Sequence, residues 1–260
     1  MEWLSGTNPY KGVSTPSSEF PSVLPFSEAT DWIESLAPAS VLLGVDGTGQ
    51  PVTVDLDAES PHILVSAPTG RGKSAVARSV AVQRLAQGDV AVFLDIKRHS
   101  HRWAQSLAPN IHYAKDAQDI GGALVSLGKE VHRRNTIADE FDGPLSAAPV
   151  GPRIVVVFEE MNATMGALKA LDKRLGEGDY TAAQGLQDVS FMGRAVRIHL
   201  VSFAQMGTYR ASGGAEIVEN YGTRILIGHS PQAWRYLASD CGKAITAPEE
   251  SGRGVVCYGG

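Results

Sequence analysis

Lys73, Ser74, Glu159 and Glu160 are the residues whose types and surroundings could do chemistry on a phosphoanhydride. The first two close the run Ala67-Pro68-Thr69-Gly70-Arg71-Gly72-Lys73-Ser74, which follows G-x-x-x-x-G-K-[ST] except at its first position, where Ala67 replaces glycine. In such a loop Gly70 and Gly72 let successive backbone N–H groups turn toward phosphate oxygens, and a helix starting near Lys73 adds the positive end of its dipole. Lys73 would reach the β and γ phosphates of ATP, and the Ser74 hydroxyl would hold Mg²⁺. Ala75 completes the binding segment.

The acids close the run RIVVVFEEMN, Arg153 to Asn162. Five apolar residues followed by two carboxylates form a strand whose end faces a nucleotide. Glu159 would then belong to the Mg²⁺ shell and Glu160 would orient or deprotonate the attacking water. Hydrolysis of a phosphoanhydride needs mostly positioning and charge neutralisation, so one lysine, one hydroxyl and an acid pair suffice. Gln205, at the end of the expected buried strand Ile198 to Phe203, has two readings: an amide that senses the γ-phosphate or holds the lytic water, or one that only satisfies a strand end. Asp95 and Lys97 follow the run Val90 to Leu94 and divide in the same way between a ligand-facing pair and a solvated strand end.

These residues need a frame of alternating strands and helices. PHILVSAPTGRGKSAVARSV, Pro61 to Val80, reads as buried strand, glycine loop and helix. Further buried runs alternate with helical stretches at Asp116 to Phe141, Met165 to Met192 and Ser230 to Asp240, the last capped by Ser230. That alternation predicts a parallel sheet with helices on both faces, the acid-bearing strand neighbouring that of the phosphate loop. Val41 to Leu56 is a hairpin around Asp46-Gly47-Thr48-Gly49, and Arg253 to Gly260 a final strand. Residues 1–38, rich in Ser, Pro and Gly, read as an irregular arm that contacts a partner or the surface; only Ser27 to Ala37 has helical spacing, with Ser27 or Thr30 as cap. Residues 39–260 then form the working domain.

Composition sets the outer limits. With 260 residues, 43% of them hydrophobic, the chain can bury a sizeable core. A net charge of −5 does not advertise nucleic-acid binding, so any DNA contact must come from a local patch or from assembly. Cys241 and Cys257 form neither a disulfide framework nor a zinc pattern and suit a reducing cytoplasm as ordinary structural positions. No run reaches the roughly 18 apolar residues of a membrane span, so the expectation is a soluble, cytoplasmic protein that a partner would have to hold at any membrane.

In collinear order from about Val41 to Tyr258, the chain resembles the motor domain of the FtsK/SpoIIIE DNA translocases (HerA-FtsK ATPases), including the TraB-like conjugative plasmid transfer proteins. The likeness rests on GVDGTGQPV, PHIL before the loop, Asp95 and Lys97 as D-x-K, the acid pair, RAVRIHLVSFAQ, ENYGTRILI and SGRGVVCYG. It implies a P-loop NTPase (RecA-like) fold, α/β with a central mostly parallel sheet, and a hexameric ring that hydrolyses Mg-ATP to move double-stranded DNA in plasmid or phage transfer. It also implies an arginine supplied by the next subunit, for which Arg194 and Arg224 stand at motif positions, and DNA-facing loops near Arg174 and Arg210. Three departures qualify this. Glu159 stands where aspartate is usual, which would slow hydrolysis; Gln205-Met206-Gly207 replaces glutamine-arginine-proline; and the chain ends with the motor core, so autonomous anchoring and a winged helix that reads orientation are not expected. The competing class is a nucleotide-binding assembly or regulatory module with weak hydrolysis.

Overall fold

The computed structural model describes residues 2–4, 24–57, 61–106, 109–175, 180–204 and 219–258. From the amino end the elements are β1 (Glu2–Leu4), α1 (Thr30–Ser35), β2 (Ser40–Val45), β3 (Pro51–Asp55), β4 (Ile63–Ser66), α2 (Lys73–Ala86), β5 (Val90–Leu94) and β6 (Ile111–Ala114). There follow α3 (Ala117–Asp139), β7 (Ile154–Phe158), α4 (Met161–Leu175), α5 (Ala182–Met192), β8 (Ile198–Ala204), β9 (Thr223–Ile227), α6 (Pro231–Leu237) and β10 (Arg253–Tyr258). The strands form one ten-stranded sheet in the order β3-β2-β1-β10-β9-β4-β8-β7-β5-β6. From β9 to β6 every pairing is parallel.

β4, β7 and β8 are buried at every position, the signature of strands covered on both faces. Their residues alternate between two cores. Leu64, Val156 and Leu200 face Leu124, Leu168 and Leu186 of α3, α4 and α5; Ile63, Val65 and Val157 face Val76 and Val80 of α2 and Val41 of β2. Each helix is thus held by an apolar stripe against one face, which fixes the rim at which its first residue stands.

The sheet differs from the sequence expectation in three places. First, β8 lies between β4 and β7, so the acid-bearing strand is one place removed from the phosphate-loop strand and not its neighbour. Sequence pattern gives strands but not their order, because a parallel crossover can skip a position. Second, the arm is not wholly irregular: β1 pairs in parallel with β10 and β2, joining the hairpin to the main sheet. Third, β6 is an additional edge strand, and α1 begins after Ala29 without a side-chain cap, Thr30 Oγ1 bonding back to Phe26 and Ser27 carbonyls. The hairpin itself stands as read. Asp46 Oδ1 accepts from Thr48 N at 2.8 Å and Gln50 N at 3.0 Å, closing the turn, and β2 and β3 pair antiparallel from Ser40↔Asp55 to Val45↔Pro51.

Two sequence features prove to be fold-holding devices. His62 accepts from Leu200 N at Nδ1 and donates from Nε2 to Ser190 O, both at 3.0 Å, tying the start of β4 to β8 and α5. His199 likewise accepts from Arg153 and donates to Pro61 O. Among the described residues no helix is long and apolar enough to cross a membrane.

Candidate nucleotide site

β4 ends at Ser66 and the chain turns through Pro68 to Gly72 before entering α2. Gly70 has φ 79° and Gly72, the residue before Lys73, φ 102°, conformations that cost side-chain-bearing residues dearly. Ala67 has no positive φ, and its methyl lies in the core against α2. The first motif position therefore needs no glycine here. Lys73 Nζ donates to Ala67 O at 2.7 Å and Pro68 O at 3.2 Å, folding the ammonium back over its own loop. Burial pulls its pKa below the usual lysine value; Glu160 and then Glu159 oppose that, while Lys97 adds to it. Both acids thus act electrostatically on the phosphate-loop lysine.

The loop is laced to the segment before β10. Gly252 N donates to Arg71 O at 3.2 Å, and the Arg71 guanidinium bonds to Glu249 O. Beside Gly70 and Gly72 a cleft of about 500 Å³ opens, walled by Phe26, Leu43, Ala75 and Val82. Thr69 and Ala75 are exposed, Ser74 half-buried.

Glu159 and Glu160 follow β7 and are 2% and 8% exposed. Glu159 N donates to Leu94 O at 3.0 Å, prolonging the pairing with β5. Glu160 has φ 47°, unusual for a residue with a side chain, and its carbonyl accepts from Thr164 N in the first turn of α4. The loop after β5 closes over both carboxylates. Lys97 Nζ is 2.6 Å from Glu160 Oε1, and His101 Nε2 donates to Glu159 Oε1 at 2.8 Å.

Asp95 shapes that loop. Fully buried, it accepts from Lys97 N at 3.2 Å, Ser100 N at 2.8 Å and the Tyr113 hydroxyl at 2.5 Å. It is neither a solvated strand end nor a ligand-facing group but the internal brace that aims Lys97 and His101. Sequence alone does not single out His101: nothing in the spacing of His99 and His101 distinguishes the buried ring from the exposed one.

A hydroxyl at Ser74 and a carboxylate at Glu159 are hard oxygen donors of the kind Mg²⁺ takes, with nucleotide oxygens and water completing its shell. Among the described residues no group of three or more His, Cys, Asp and Glu is placed to hold a metal ion.

Gln205 and Arg210 lie outside the described residues. Ala204, the last residue of β8, accepts from Ala67 N at 3.3 Å, so β8 ends against the phosphate loop. Arg194 is exposed and precedes β8, on the rim opposite the loop. Arg224 lies near the start of β9 on that same rim, where it is ion-paired with Asp240 and contacts Cys241 Sγ at 3.9 Å. Arg174 is exposed near the end of α4. Cys257 is buried and Cys241 half-buried.

No family model matches the chain. A 69-residue stretch, 25% of the chain, is 41% identical to the DNA translocase FtsK of Haemophilus influenzae, and this covers 13% of that protein. Among solved structures, the pCW3 conjugation coupling protein TcpA, in monomer form with ATPγS, superposes with TM-score 0.72 at 22% identity over 93% of this chain and 68% of the other. The cytoplasmic domain of the type VII secretion ATPase EccC from Thermomonospora curvata gives TM-score 0.60 at 17% identity over 92% of this chain and 27% of that one. With a fold shared along nearly its whole length and translocase-like sequence over a quarter of it, the chain is similar to the FtsK/SpoIIIE-type motor domains.

Proposed function

We propose that the chain is an ATPase that moves double-stranded DNA in plasmid or phage transfer, working as a homo-oligomeric, hexameric ring. The observation that supports the reading is that the glycine loop after β4 and the acid pair after β7 stand on the same rim of the parallel sheet, with β8 between the two strands. ATP phosphates would lie on the backbone of Ala67 to Ser74, with Lys73 leaving its loop carbonyls for the terminal phosphates. The apolar cleft beside Gly72 would receive the base. Mg²⁺, held through Ser74 and Glu159, would offset charge on the phosphate oxygens. Glu160 would accept the proton of the attacking water, and Gln205 would hold that water.

Arg194, exposed on the opposite rim, is the arginine we assign to a neighbouring subunit's γ-phosphate. Arg224, tied to Asp240, suits that role less. A membrane-associated transfer machine is the partner that would recruit the ring. One observation favours a second reading, a nucleotide-dependent assembly module with weak hydrolysis: Glu159 and Glu160 already have partners in His101 and Lys97.

ATP turnover measured with and without duplex DNA decides between them. Stimulation of several-fold, with closed rings around DNA under ATPγS, supports the motor. Unchanged or absent turnover with intact ATP binding supports the module.

A further inference from the structure

The acid expected in the metal shell is a glutamate, one methylene longer than the usual aspartate, and it is 2% exposed. A longer buried acid has an extra rotatable bond, and its carboxylate stays in place only if something fixes it. His101 supplies that. Its Nε2 donates to Glu159 Oε1 at 2.8 Å, and both side chains are at most 3% exposed. The ring packs tilted against Phe93 and edge-on to Trp103, with centroids 5.0 and 6.3 Å away. Its backbone N–H points at the same Asp95 carboxylate that organises the loop. His101 Nδ1 is buried with no hydrogen-bond partner among the described residues, so the contact to Glu159 is the side-chain hydrogen bond that orients the ring.

We propose that His101 is a positioning residue for the metal site. It pins one oxygen of Glu159 and leaves the other for Mg²⁺ or a metal-bound water, so glutamate and histidine together perform what a shorter acid does alone. The inference rests on the nucleotide reading above. Outer partners of metal-holding carboxylates are worth about 10- to 100-fold in metal affinity.

The test is Mn²⁺ affinity measured by electron paramagnetic resonance in the presence of ATPγS, alongside ATPγS affinity in EDTA, on the full chain. His101→Leu should weaken Mn²⁺ by at least about 10-fold while metal-free nucleotide affinity stays within about twofold. His101→Gln, whose amide can donate from nearly the same place, should recover most of the loss. Glu159→Asp, although it installs the commoner acid, should bind Mn²⁺ more weakly than wild type because the shortened side chain draws away from His101.

Mn²⁺ binding by His101→Leu within about twofold of wild type would overturn the proposal, as would a His101→Gln variant as defective as His101→Leu. If the leucine variant does not fold, Glu159→Asp decides: equal or tighter Mn²⁺ overturns it. A wild-type chain that binds no ATPγS would overturn the nucleotide reading, and this inference with it.

Discussion

Lys97 Nζ and Glu160 Oε1 meet at 2.6 Å, joining the loop after β5 to the residue that opens α4. The lysine side chain is 39% exposed and the glutamate 10%, so the pair sits at the lip of the site and not in its depth. Glu160→Gln keeps the volume and removes the proton acceptor. Hydrolysis should fall by about 100-fold or more while ATP affinity stays within about threefold, as single-turnover and equilibrium binding measurements would show. A variant that no longer binds ATP would remove Glu160 from the role of base.

The phosphate-loop lysine and the first loop residue should behave in opposite ways. Lys73→Ala removes the charge over the terminal phosphates and should abolish turnover; a variant that still hydrolyses ATP would show that the loop is not the site. Ala67→Gly restores the usual motif residue, yet Ala67 does not take up the left-handed backbone. Nucleotide affinity should not improve, and stability should fall by about 0.5–1 kcal/mol from the freer unfolded chain and the lost methyl. Thermal melts and nucleotide titrations check both.

Acid stability should be set in part by His62. Burial pushes its pKa from the ordinary 6.5 to about 4, so the unfolded chain takes up a proton that the folded one refuses. The contribution is fully present above pH 6.5, declines as pH falls from 6.5 to 4, and is spent below that, about 3 kcal/mol in all. His199 shifts in the same direction through burial and the Arg153 charge, which steepens the slope. His62→Asn keeps an acceptor for Leu200 N but has no ring to protonate. Urea unfolding at pH 7.5, 6 and 5 should show a less stable variant at the highest pH and a flatter decline below it.

Arg194→Ala should bind ATP normally and lose DNA-stimulated turnover, because the residue stands away from its own chain's loop. Normal stimulation in the variant would show that another group serves the neighbouring site.

Much of this was legible in the residues. Lys73, Ser74 and the acid pair could be singled out because loop and strand-end patterns are local, and Asp46 announced the hairpin turn. What stayed hidden was set by distant contacts. The place of β8 between β4 and β7 depends on crossover geometry, and Asp95 became a brace only when Tyr113 came beside it. His101 is distinguished from His99 only by its contact with Glu159, a residue 58 positions away.

Arg71 carries a consequence of its own. Its carbonyl and guanidinium are fastened to Gly252 and Glu249, and the next residue, Arg253, begins the strand that pairs with Glu2–Leu4. Tension applied at either β1 or β10 is therefore delivered to the glycine loop through a handful of hydrogen bonds. A grip on that outer seam acts on the glycine loop from a distance, with no contact to Lys73 or to either acid.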